Sequence, residues 1–102
     1  MIHVIATITV KPGKRAAFLE EFHRLMPAVH AEAGCIEYGP TVDVESGLTM
    51  QGPRRENVAV IVEKWASLDA LKAHMHAPHM AEYRTRVKDL VEGVTLQILA
   101  PA

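Results

Sequence analysis

The chain has 102 residues, 49% of them hydrophobic and 23% charged, with eleven Lys plus Arg against twelve Asp plus Glu. A chain of this size buries roughly 65% of the surface it exposes when unfolded, which supports one core without disulfide or metal staples and excludes a second domain. The formal net charge of -1, with the basic residues scattered, provides no field to gather phosphate backbones, so nucleic acid is not an expected partner.

Cys35 is the only cysteine, so no intramolecular disulfide forms and nothing calls for an oxidising compartment. The first residues show no basic, apolar and small-residue leader, and the expected location is the cytoplasm. The longest aliphatic run, Val58 to Val62, falls far short of the ~20 residues that cross a bilayer, so no membrane span is expected.

Ile2, Val4, Ala6, Ile8 and Val10 alternate with His3, Ile5, Thr7 and Thr9, the period of a first strand. After a Lys11-Pro12-Gly13 turn, Phe18, Phe22, Leu25, Met26 and Val29 recur at helical steps with Glu20, Glu21 and Arg24 opposite them. Pro27 inside this pattern predicts a kink, because it lacks the donor that residue 23 would otherwise accept. Gly34 is suited to a left-handed cap that ends the helix.

Cys35 to Val44 alternates roughly and is interrupted by Gly39-Pro40, which predicts a strand with a bulge or an edge position at the proline. Glu45 to Asn57 is the most loop-like stretch, with Leu48 to Gln51 as a possible short strand inside it. Val58 to Trp65 is strongly β-forming and belongs inside the sheet.

Ser67 is an N-cap for a second helix carrying Asp69, Leu71 and Met75. Pro78 breaks or restarts that helix, and His79, Tyr83, Val87 and Leu90 follow one face until Glu92-Gly93 ends it. Val94, Leu96 and Ile98 then predict a last strand. The order β-α-β-β-α-β is that of an α+β, ferredoxin-like fold, an antiparallel sheet with both helices on one face. Both faces of the sheet are apolar, so a second copy is expected to cover the open one in a homodimer.

No Gly-rich phosphate loop, Cys-x-x-Cys, His-Glu-x-x-His or Gly-x-Ser-x-Gly motif is present. Three of the six histidines crowd into His74-x-His76-x-x-His79. On a continuous helix His74 and His79 stand about 140° apart, so their nitrogens do not converge on a metal unless Pro78 redirects the chain. The expectation is therefore no metal, with His76 facing solvent and His79 an inward, hydrogen-bonded histidine. His23 and His30 are expected at the surface.

Cys35 is expected to pack as a small hydrophobe, although a nucleophile activated by a histidine is the functional alternative. Glu63 shares a strand face with Ile61 and Trp65, so its carboxylate is either a structural partner for Arg or His, or a general base. Tyr38 and Tyr83 read as core aromatics able to offer a hydroxyl to a buried ligand. A pocket between the sheet and the second helix, with Trp65 as a wall and His79, Glu63 and Tyr38 as polar points, suits a flat, mostly apolar molecule carrying one or two hydroxyls.

The segments Glu32-x-Gly34-Cys35-x-x-Tyr38, Val42-Asp43, Glu63-x-Trp65, Leu71-x-x-His74 and Pro78-His79-Met80 together resemble the antibiotic-biosynthesis monooxygenase family of dimeric α+β barrels, and within it the bacterial quinol monooxygenases. The resemblance covers nearly the whole chain. It implies oxidation or oxygenation of a reduced quinol or polyphenol by molecular oxygen, with no cofactor. It also implies catalytic roles for His79, Glu63 and Tyr38, with Trp65, His74 and Tyr83 against a small aromatic substrate. The haem-degrading branch of similar proteins places an asparagine on the first strand, where this chain has Thr7 and no asparagine before Asn57, so haem degradation is disfavoured. Other similar proteins isomerise small phosphorylated signalling sugars. An isomerase, or a dimeric ligand-binding or stress-response module without turnover, is the alternative reading.

Overall fold

The computed structural model describes residues 1–102 as β1 (Ile2–Val10), α1 (Arg15–His30), β2 (Cys35–Thr41), β3 (Val58–Trp65), α2 (Leu68–Met75), α3 (Pro78–Val87) and β4 (Val91–Leu99). The expected second helix is two helices, because Pro78 occupies the first position of α3, where its missing N–H is one the helix start leaves unbonded anyway. No helix is long and apolar enough to cross a membrane.

The four strands form one sheet in the order β2-β3-β1-β4, every neighbouring pair antiparallel. Each βαβ unit therefore skips one position, which is the split, ferredoxin-like arrangement. Alternation along β1 and β3 sends Val4, Ala6, Ile8 and Val10, and Ala59, Ile61, Glu63 and Trp65, into the core beneath the helices. The opposite face carries Ile5, Val58, Val60 and Val62, all only half-buried.

Phe18, Phe22, Leu25 and Val29 form the buried stripe of α1. The helix runs unbroken through Pro27 to His30. An interior proline costs about 3 kcal/mol, and the fully buried Leu25 and Val29 on either side, at roughly 1.5–3 kcal/mol each, offset it.

β2 ends at Thr41, short of the expected Val44, and of the two alternatives at its proline it takes the edge position. The ladder shift in β2 lies between Cys35 and Glu37, and Pro40 pairs in register with Ile61; β2 is an edge strand, where a proline can turn its donorless side outward. The second helix does not last to Glu92-Gly93. It stops at Val87, and β4 takes up Val91, Glu92 and Gly93, Val91 pairing with Val10 past a register shift after Thr9.

Residues 48–51 form a turn, not the short strand considered above. Their loop is anchored by Asp43, whose Oδ1 and Oδ2 accept from Nη2 and Nε of Arg55 at 2.8 Å each, while Oδ2 also accepts the Arg55 backbone N–H at 2.9 Å. These bonds hold the Asp43 carboxyl far below the usual carboxylate range.

Candidate active site

The helical layer does not cover the sheet evenly. Between α3 and the β1–β4 half of the sheet lies an open cavity of about 430 Å³, walled by Ala6, Ile8, Ile61, Met80, Val87, Val94 and Leu96 among others. Its deep polar groups are Tyr38, Glu63, His74 and Tyr83, while Arg84 and Lys88 stand at its rim. A mostly apolar cleft with a few convergent polar groups is the usual form of a small-molecule site.

Register explains the convergence. Tyr38 of β2 and Val4 of β1 both lie opposite Glu63 of β3, so Tyr38 and Glu63 project to the same face. Glu63 is buried and accepts one hydrogen bond, from the Trp65 indole N–H to Oε1 at 2.9 Å. Burial pushes its carboxyl up to about 7, against the pull of the Trp65 bond and with a further push from Glu32.

Tyr38 is stacked on Phe22 at 5.2 Å between ring centroids and meets the edge of His74 at 5.3 Å. Burial, then the Glu63 charge, raises the Tyr38 hydroxyl well above its ordinary value, and burial does the same for Tyr83. Both remain O–H donors at neutral pH.

His74 and His79 do converge, contrary to the continuous-helix expectation. Because α2 ends at Met75 and α3 restarts at Pro78, the chain turns between them. His74 Nδ1 and His79 Nε2 both lie 2.8 Å from the same carboxylate oxygen, Oε2 of Glu32. Glu32 sits in the turn between α1 and β2, its backbone N–H bonded to Val29 and its carbonyl to Cys35.

Sequence reasoning missed Glu32. It lies 42 residues from His74, and its one signal was its place in the Glu32-x-Gly34 segment. The turn that carries it is tight: Gly34 has φ +82°, and a Cβ there would stand 2.7 Å from the Ala70 Cβ.

The six residues expected at the site divide into two layers. Tyr38, Glu63, His74 and Tyr83 line the cavity, whereas Trp65 and His79 do not. Trp65 is completely buried, packs on His74 at 4.6 Å and holds Glu63, so it forms no open wall on which a ligand ring can stack. His79, 27% exposed, points at Glu32 instead of inward to the cavity.

A carboxylate can only accept, so each imidazole donates to Glu32, and in a neutral ring the remaining nitrogen is the acceptor. For His74 that atom is Nε2. Burial lowers the basicity of His74, only partly opposed by the Glu32 bond, which keeps the ring neutral near pH 7. The Cys35 thiol is pushed up by burial and by Glu32 and Glu63, so it stays protonated and is no activated nucleophile. His76 is exposed as expected; His30, also at the surface, bonds to the Tyr38 carbonyl at 2.7 Å through Nε2 and ties α1 to β2.

This sheet, this helical layer and this cleft define a known class. Residues 1–86 match the sequence profile of the family described as Antibiotic biosynthesis monooxygenase, and the chain belongs to that family of monooxygenases. It is 38% identical over 103 aligned residues, 99% of this chain and 98% of the relative, to the Escherichia coli K12 protein named "Probable quinol monooxygenase YgiN". Among solved structures, PA3566 of Pseudomonas aeruginosa superposes with a TM-score of 0.80 at 26% identity over 99% of this chain and 93% of that one. Rv0793 of Mycobacterium tuberculosis gives the same TM-score and identity, with coverage of 99% and 94%.

Proposed function

We propose that the protein is a quinol monooxygenase that takes a reduced naphthohydroquinone or similar polyphenol in the cavity and oxidises it with molecular oxygen. The observation that carries this reading is the cavity itself: apolar walls of aromatic-ring size, with Glu63, His74, Tyr38 and Tyr83 gathered among them. Arg84 and Lys88 at the rim could meet a phosphate, but the apolar walls would leave most hydroxyls of a sugar unbonded. The name of the Escherichia coli relative supports the same substrate class.

Two acceptors face the cavity, the Glu63 carboxylate poised near pH 7 and the neutral His74 ring held by Glu32. Each takes one of the two hydroxyl protons the quinol loses on oxidation, and a base with a pKa close to the working pH is the most effective one. The quinolate left behind is electron-rich and passes an electron to oxygen itself, so the reading needs no flavin, haem or metal. Tyr38 and Tyr83 donate to the substrate oxygens, and the apolar walls, with the bound ring filling the space between them, limit the access of water to the radical pair. In this account His74 takes the role first expected of His79, and Trp65 acts by orienting Glu63.

We also place a second copy of the chain over the uncovered sheet face. Ile5, Val60 and Val62 on that face and the exposed Val44, Leu48 and Met50 of the loop supply an apolar surface of the kind a partner buries. A cytoplasmic location, where Cys35 stays a free thiol, belongs to the same reading.

The substrate class is tested by anaerobic binding. Trp65 is the only tryptophan and touches both Glu63 and His74, so its emission reports on the cavity. A reduced naphthohydroquinone is expected to quench it saturably, with weaker binding in Tyr83→Leu. No saturable change with any of a panel of quinols would overturn the reading.

A further inference from the structure

We infer that Glu32, His74 and His79 form a site for a divalent transition-metal ion of the zinc class, and that a metal bound there switches His74 from proton acceptor to donor. The donor set is two imidazole nitrogens and one carboxylate oxygen, the borderline ligands that suit such ions. The three donor atoms lie within 4.8 Å of one another, and both nitrogens lie 2.8 Å from the shared oxygen. The two N···O spacings are near the roughly 3.0–3.4 Å edge of a coordination polyhedron with bonds of about 2.1 Å, and the two ring nitrogens, within 4.8 Å of each other, close the cluster by rotating together by up to about 1.5 Å.

The site is also built. His74 is fixed from behind by Trp65, Glu32 by the tight turn at Gly34, and His79 by the first turn of α3. The three ligands come from three separate segments, so the fold, not a local motif, assembles them. Of the three, His79 is the most exposed at 27%, against 13% for Glu32 and 2% for His74, which gives an ion a route in from solvent.

The consequence follows from the two nitrogens of one ring. Without metal, the proton of the neutral His74 ring sits on Nδ1 and is donated to Glu32. A metal on Nδ1 requires a lone pair there, so the proton moves to Nε2. For His74 this is an exchange within one neutral ring, with no electron or net proton transferred. The nitrogen of His74 that is free to meet a substrate then becomes an N–H donor and no longer accepts a hydroxyl proton. This effect on catalysis rests on the quinol reading above; metal binding itself does not.

The test uses the purified full chain after treatment with a chelator. Titration with Co2+ alone, followed by its visible d–d absorption, is expected to saturate at one ion per chain and to be reversed by Zn2+ or chelator. Glu32→Gln and, as a more exposed and safer change, His79→Ala are expected to weaken binding at least about tenfold, with folding checked by circular dichroism. Nitrogen-15 spectra of the histidine rings are expected to show the His74 proton leaving Nδ1 for Nε2 on Zn2+ addition.

No binding at micromolar Co2+, or binding of equal strength in both variants, overturns the site. These readouts do not depend on turnover. Metal that binds as described yet leaves quinol oxidation unchanged would overturn the catalytic role of His74 and not the site.

Discussion

His74 donates from Nδ1 to Glu32 Oε2 across 2.8 Å, and that bond decides which nitrogen of the ring is left to act as a base. The same carboxylate holds His79. Glu32→Gln keeps one oxygen for the two imidazoles that share Oε2 but removes the negative charge that strengthens both bonds. Hydrogen bonds to a charged group contribute about 1.5–3 kcal/mol each, so Glu32→Gln is expected to lose stability of that order in urea unfolding. It is also expected to lower kcat about 10- to 100-fold while KM changes little, because the ring loses orientation and not substrate contact.

The two histidines are expected to separate in kinetics. His74 lines the cavity and His79 reaches it only through Glu32. His74→Ala should reduce kcat/KM by about 100-fold or more, the usual loss for a general base. His79→Ala should reduce it less than about tenfold. Steady-state kinetics on both variants checks this; equal losses would mean that His79 meets the substrate directly.

Glu63 makes stability depend on pH in an unusual sense. Its carboxyl titrates near 7 in the fold and in the ordinary carboxyl range when unfolded. The folded state therefore holds the proton more tightly. The stability linked to that proton is complete below the ordinary carboxyl range and is lost as pH rises through about 7. Glu63→Gln keeps an acceptor for the Trp65 N–H and removes the buried charge. It should be more stable than the parent at pH 8 by up to about 3 kcal/mol, with the difference shrinking as pH falls and vanishing only below the ordinary carboxyl range. The parent kcat/KM should rise through about pH 7, and that limb should flatten in Glu63→Gln.

Gly34→Ala tests the turn that presents Glu32. The backbone there is left-handed at φ +82°, and the new Cβ would meet the Ala70 Cβ at 2.7 Å. A left-handed residue with a Cβ costs about 1 kcal/mol and crowding in a packed site another 1–3. Thermal unfolding is expected to shift downward accordingly, by several degrees for a chain of this size. Gly13→Ala, whose Cβ meets nothing within 4 Å despite φ +77°, should cost less.

The sheet and its buried face were legible because β1 and β3 alternate cleanly, and a period of two leaves little choice of face. The helix break was legible at Pro78 for the same kind of local reason. What Pro78 does in space was not. The meeting of Glu32, His74 and His79 depends on three segments packed through Gly34 and Ala70, and no periodicity records a contact 42 residues apart. Glu92-Gly93 misled in the opposite way: it has the chemistry of a helix end, yet an edge strand accepts a glycine, and pairing with Thr9 outweighs the local preference. Trp65 read as a ligand platform because tryptophans so often serve as one. Its side chain is instead sealed in the core, and its N–H does the work, at Glu63.

Oxygen uptake by the purified protein with a reduced naphthohydroquinone, measured beside His74→Ala with chelator present and autoxidation subtracted, tests the central claim most directly. The account predicts saturable uptake by the parent and a loss of about 100-fold in His74→Ala. Uptake no greater than autoxidation, or uptake that His74→Ala leaves intact, would contradict it.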